Sequence, residues 1–259
     1  MFALEFPPIN AVLRWQDLFP TFNKIALIAV LAALISIVIF WIAGSRDGRK
    51  APKGVRNFAE TTVDFIDNGI VMQTMGKQGL GWTPMLLSLF LFIYLCNVPG
   101  IIPGFQMPAT ARIAIPMSLA LFVWVTYIVV GLKHQGLGYF GHLLWPPGVP
   151  TALKPLVGLI EFVSTIIVTP FSLTVRLMAN MLAGHILLVT FALLTKSLVE
   201  AETARFALVP LGILPFGMLV FLTAFEVLVA FLQAYIFTIL TAVYISNSSA
   251  GHGDEHMTD

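Results

Sequence analysis

Charge is what this sequence has least of. Only 10% of its 259 residues are Asp, Glu, Lys or Arg, against about a quarter in a typical soluble domain. The formal net charge is +1 with no basic face beside it, so there is no footprint for nucleic acid. Cysteine is nearly missing as well. Cys96 stands alone in an apolar run, which excludes a disulfide within the chain and fits plain packing. No phosphate-binding loop ending in Gly-Lys-Ser/Thr occurs, which argues against a nucleotide site. A basic leader is missing too: the first apolar run begins at Ile25, behind Glu5 and Asp17. That run is therefore expected to be a retained transmembrane helix, not a cleaved signal. Repeats, low-complexity tracts and a soluble domain are not found.

What remains is apolar. Hydrophobic residues make up 58% of the chain and the mean hydropathy is +0.91, values suited to a bilayer. Residues 24–44 are long enough for one crossing, since about 20 apolar residues span the hydrocarbon. The loop after it carries Arg46, Arg49, Lys50, Lys53 and Arg56, which by the positive-inside rule places it on the cytoplasmic side, or on the matrix or stroma side in an organelle, and the amino terminus outside. From 55 to 72, Val55, Phe58, Ala59, Thr62, Phe65, Ile66, Gly69 and Ile70 recur at helical spacing, opposed by Arg56, Glu60, Asp64 and Asp67. That pattern predicts an amphipathic helix, either lying on the inner membrane surface or packed on a partner. Residues 82–104 cross outward and break at Pro99 and Pro103. Residues 113–132 return, and an inner connection rich in Gly, Pro and aromatics follows.

Two segments are too long for upright helices. Residues 155–195 and 206–247 each reach about 60 Å as a helix, roughly twice the hydrocarbon thickness. Each breaks into two upright helices or lies steeply tilted, and the lack of a loop-like cluster at either midpoint favours tilt. Pro170 is expected to kink its helix, with neighbours satisfying the freed carbonyl. The expected fold is an all-α integral membrane protein of one domain with about five crossings. Its last two helices form a tilted hairpin, and one amphipathic surface helix is added.

The polar residues within this apolar frame are the candidate site. Arg176 lies about 20 residues from either end of its helix, too far for its head to reach the interface, and arginine cannot shed its proton. It needs a carboxylate or water. Ser172, Arg176 and Asn180 share one stripe by their spacing of four, while His185 points to the opposite side. Glu226 and Gln233 share a face on the last helix. Pairing His185 with Glu226 and Arg176 with Gln233 implies nearly one antiparallel register, with the turn near Arg205. Blander roles stand beside these: an ion-pair strut for Arg176, a satisfied core histidine for His185, interhelical glue for Asn180 and Gln233. Glu161, a few residues inside the inner interface, is an anchor there or a functional acid. His252 and His256 sit with Asp254 and Glu255 in a polar tail and are read as solvated, not as metal ligands.

These residues resemble subunit a of the rotary ATP synthases, of bacterial type. The motif "PFSLTVRLMANMLAGH" (170–185), matched by "FEVLVAFLQAYIFTILTAVYIS" (225–246), carries the resemblance. It implies a hairpin packed against a ring of c subunits, each with a lipid-facing carboxylate. Arg176 matches the family's essential arginine, and Asn180 and Gln233 its polar companions beside the ring. His185 and Glu226 match an acid–imidazole pair in an outer proton half-channel, with the two types exchanged relative to some members. Three departures stand out. "RLMAN" replaces the more usual Arg-Leu-Phe-Gly-Asn, and Gly100 stands where many members carry an acid. Glu161 lies one residue out of step from an acid associated with the inner exit.

The resemblance implies a proton-translocating stator subunit without catalytic residues or cofactors, forming two offset half-channels. Its expected partners are the c-ring, peripheral-stalk b subunits, lipid and protons, in a bacterial inner membrane. A stand-alone secondary transporter using Arg176 as an anion site is the alternative, which inverted repeats would favour.

Overall fold

In a computed structural model of the chain, the residues described are 17–19, 22–44, 54–102, 108–136, 138–145, 153–199 and 205–249. The basic loop at 45–53 and the polar tail lie outside them. A small antiparallel hairpin, β1 (Asp17–Phe19) and β2 (Phe22–Asn23), precedes the helices. The main helices are α1 (Lys24–Gly44), α2 (Val55–Ile66), α3 (Thr83–Asn97), α4 (Ala114–Gln135), α5 (Gly138–Leu144), α6 (Lys154–Val163), α7 (Thr169–Val199) and α8 (Arg205–Ser249).

Four stretches are long and apolar enough to cross a membrane: Gly76–Gly100, Ala114–Gln135, Lys154–Val199 and Gly212–Ser249, with a shorter apolar helix at Ile25–Trp41. Lys154–Val199 runs 46 residues, about 70 Å of helix. That is more than twice a hydrocarbon core of about 30 Å, a length that a crossing helix accommodates by tilting or kinking. Together α7 and α8 form the antiparallel hairpin, with α3 and α4 packed along it. Residues 200–204, which join the two helices and hold most of the expected turn near Arg205, lie outside the described residues.

One apolar stripe goes elsewhere than to lipid. Ala59, Ile66, Ile70 and Val71 of the amphipathic segment are buried, and Ile66, Ile70 and Val71 join the main core with residues of α3 and α8. Phe65 meets Phe90, Phe231 and Tyr235 with its ring tilted to each of theirs. On the polar side Arg56 Nε donates to Glu60 Oε1 at 2.7 Å. The helix widens into a π-turn at Asp67–Val71, where Thr83 Oγ1 donates to Asp67 Oδ1.

Two glycines knit the inner connection, which the sequence pattern showed only as loop. A Cβ at Gly131 would come within 2.6 Å of the Tyr139 ring, and one at Gly158 within 2.0 Å of the Leu144 carbonyl. Only glycine lets α5 nest so closely against α4 and α6.

Candidate functional site

Each face of α7 has its own chemistry. Leu173, Leu177, Met181, His185 and Leu188 form the buried stripe. Arg176, Ala179, Asn180 and Ala183 lie on the exposed side, as a rotation of 100° per residue requires. Among the described residues no hydrogen bond or ion pair reaches Arg176. A permanent cation thus stands on an exposed face whose other members are apolar, small or neutral.

Asn180 Nδ2 donates to Gln233 Oε1 at 3.2 Å. Gln233 therefore pairs one helical turn beyond Arg176, the partner suggested by sequence register. It is 3% exposed, and its Nε2 has no partner among the described residues.

His185 and Glu226 are 4% and 5% exposed, so both belong to the hairpin's interior. They are not joined by a hydrogen bond. His185 Nδ1 and Glu226 Oε2 are buried without partners among the described residues. Leaving such groups unmade costs about 1–3 kcal/mol each, so neither atom adds to stability through a bond to the described residues. Gly184 sets the place of the carboxylate: a Cβ there would lie 2.6 Å from Glu226 Oε1. Sequence reading passed over Gly184, although its position beside His185 in the motif was a signal.

Toward the outer end, Thr110 Oγ1 donates to Asn97 Oδ1, and both residues are wholly buried. Beside them a Cβ at Gly100 would meet the Pro108 ring at 2.8 Å. The proline fills the space an acid would need, which explains why a glycine stands there. The short 3-10 helix Ala109–Ala111 carries Ala111 onto Met181 and Ala230 of the hairpin.

Glu161 is separate from all of these. It is half-buried on α6 and acts electrostatically on Tyr139. Burial pushes the Tyr139 hydroxyl up, Ser248 pulls it back by a hydrogen bond, and the Glu161 charge pushes it up again. A hydroxyl so raised stays protonated and remains a donor. Nearby, Gln135 Nε2 donates to the Ser248 carbonyl at 3.3 Å. Tyr139 gave no signal in the sequence beyond that of an interfacial aromatic.

Among the described residues no group of His, Cys, Asp or Glu is arranged to hold a metal ion. The family described as ATP synthase A chain matches residues 26–246. This chain belongs to that family. It is similar to ATP synthase subunit a of Frankia alni, with 44% identity over 237 residues, 91% of this chain and 80% of that one. ATP synthase subunit a of Streptomyces lividans is 39% identical over 233 residues, 89% of this chain and 81% of that one. The subunit a of Rhodopseudomonas palustris (strain BisB18) is 39% identical over 231 residues, 89% of both chains. As a family member the chain is a non-catalytic, multi-pass subunit of the synthase's membrane sector, concerned with ion transport and ATP synthesis.

Proposed function

We propose that this chain is the proton-translocating stator subunit of a bacterial plasma-membrane ATP synthase, with two offset half-channels against a c-ring. The observation that carries the reading is Arg176, exposed on α7 and without a partner among the described residues. A cation in lipid costs roughly 2.5–3.5 kcal/mol on insertion scales, so its partner must come from outside. Ala179 and Ala183 on the same face leave room for another helix to approach closely. In lipid a ring carboxylic acid is neutral, because ionising it there is costly. Beside Arg176 the opposite charge favours ionisation, and the proton leaves toward the inner side, past Glu161. Once past the arginine, the acid is reprotonated from the outer side through Glu226 and His185. Asn180 and Gln233 hold the two helices together beside the arginine. The fixed charge also blocks protons from passing straight between the two paths. The b subunits of the peripheral stalk hold the subunit still while the ring turns.

An exposed face suits a moving protein partner better than the enclosed pocket a substrate transporter needs. Purified alone into vesicles, the chain is expected to give no proton flux above protein-free vesicles. Purified with its ring, it should conduct. Flux from the chain alone would replace this reading with that of a stand-alone transporter.

A further inference from the structure

The helix carrying Arg176 is interrupted, though nothing breaks it. Between α6 and α7, Ser164–Val168 forms a π-turn, in which each amide bonds five residues back and one extra residue is taken up. Thr169 N–H and Thr169 Oγ1 both donate to the Ser164 carbonyl. In that wide register the donor for the Thr165 carbonyl would be residue 170. Residue 170 is proline, which has no N–H. The Tyr127 hydroxyl of α4 supplies the missing bond, donating to the Thr165 carbonyl at 2.6 Å. Tyr127 is 2% exposed, and its ring lies 5.7 Å from that of Tyr244 on α8. The phenol therefore has no solvent to bond instead and little room to turn.

The extra residue lies between Glu161 and Arg176. In a regular helix one added residue turns everything beyond it by about 100° and moves it by about 1.5 Å. A π-turn takes up much of that turn locally, so the two flanking helices keep the relation they would have with one residue fewer.

We propose that Tyr127 is a positioning residue for Arg176: its hydroxyl holds the Ser164–Val168 turn, and that turn sets the rotational phase between the arginine and Glu161. This rests on the proton-translocating reading of Arg176. The test is proton-driven ATP synthesis in membrane vesicles holding the assembled complex, with Arg176→Ala as control. Tyr127→Phe should lower the rate about tenfold, the effect of an unmet buried acceptor. Adding Pro170→Ala, which returns an N–H to residue 170, should bring the rate to within about twofold of Pro170→Ala alone. A packing role for the phenol would not respond to that second change. A full rate in Tyr127→Phe, or a double variant as slow as Tyr127→Phe, would overturn the proposal.

A second pair leaves Tyr127 intact. Deleting Ile167, a 58% exposed residue of the turn, should close it into ordinary helix and keep synthesis. Deleting Ala183 from the regular part of α7 should abolish it. Equal losses from the two deletions would also overturn the proposal. Undiminished synthesis by Arg176→Ala would instead remove the reading beneath it.

Discussion

Arg176→Ala is expected to abolish proton-driven ATP synthesis and to make the assembled membrane sector leak protons. Two effects combine. Without the guanidinium, nothing favours ionisation of an arriving carboxylic acid, and the proton stays on it. At an effective dielectric near 20, an ion pair at about 4 Å is worth about 4 kcal/mol, close to a thousandfold in rate. The second effect is the leak. A fixed cation repels protons, and its removal joins two paths it had kept apart. Arg176→Lys should rescue little, because an ammonium is more strongly hydrated and lacks the planar fork that meets a carboxylate at two points. Synthesis is read in energised vesicles, and leak as the decay of a pH gradient without nucleotide. Normal synthesis by Arg176→Ala would remove the arginine from the mechanism.

The second large effect is expected at Glu226. The amide in Glu226→Gln keeps the shape of the side chain but cannot take up and pass on a proton. General acid–base groups contribute about 10²–10⁴-fold, so transport should slow about a hundredfold in both directions. Assembly should survive, since Glu226 makes no hydrogen bond or ion pair among the described residues. Gly184→Ala provides an independent check that leaves the carboxyl in place. A Cβ 2.6 Å from Glu226 Oε1 must push the carboxylate aside, and the flexible end of a side chain moves at little cost in stability. Transport should fall about tenfold while the complex stays intact, as expected when a proton-transfer group loses its geometry. Unchanged rates in both variants would take Glu226 off the path.

Much of this was legible in the sequence because a bilayer demands so few things. A stretch of apolar residues has to match its thickness, which is why Lys24–Gly44 and the two long segments could be read from composition alone. The spacing of Ser172, Arg176 and Asn180 fixed their common face, since a helix without loop signals has a known rotation per residue. The rest depended on contacts that no periodicity encodes. The amphipathic stripe of Ala59 and Ile66 was as suited to lipid as to protein, and only tertiary packing decides between them. Gln233 meets Asn180 and not Arg176, because opposed side chains lean along their helices by about a turn. Pro170 signalled a freed carbonyl, yet nothing in "WVTYIVVG" marks Tyr127 as its partner 38 residues away in sequence. The glycines at 131, 158 and 184 looked alike. Each proves to be a close approach to a different neighbour.

The account rests on what stands opposite the arginine in the working complex. With Cys96 replaced by serine, a single cysteine can be placed by Ala179→Cys or Ala183→Cys on the arginine's face. Val125→Cys on α4, 49% exposed, serves as the control. A second cysteine goes beside the acid of the ring helix, and disulfide formation is followed in native membranes. Cross-links to the ring from positions 179 and 183, and none from 125, are the expected result. A ring that co-purifies with the subunit yet cross-links only through position 125 would contradict it.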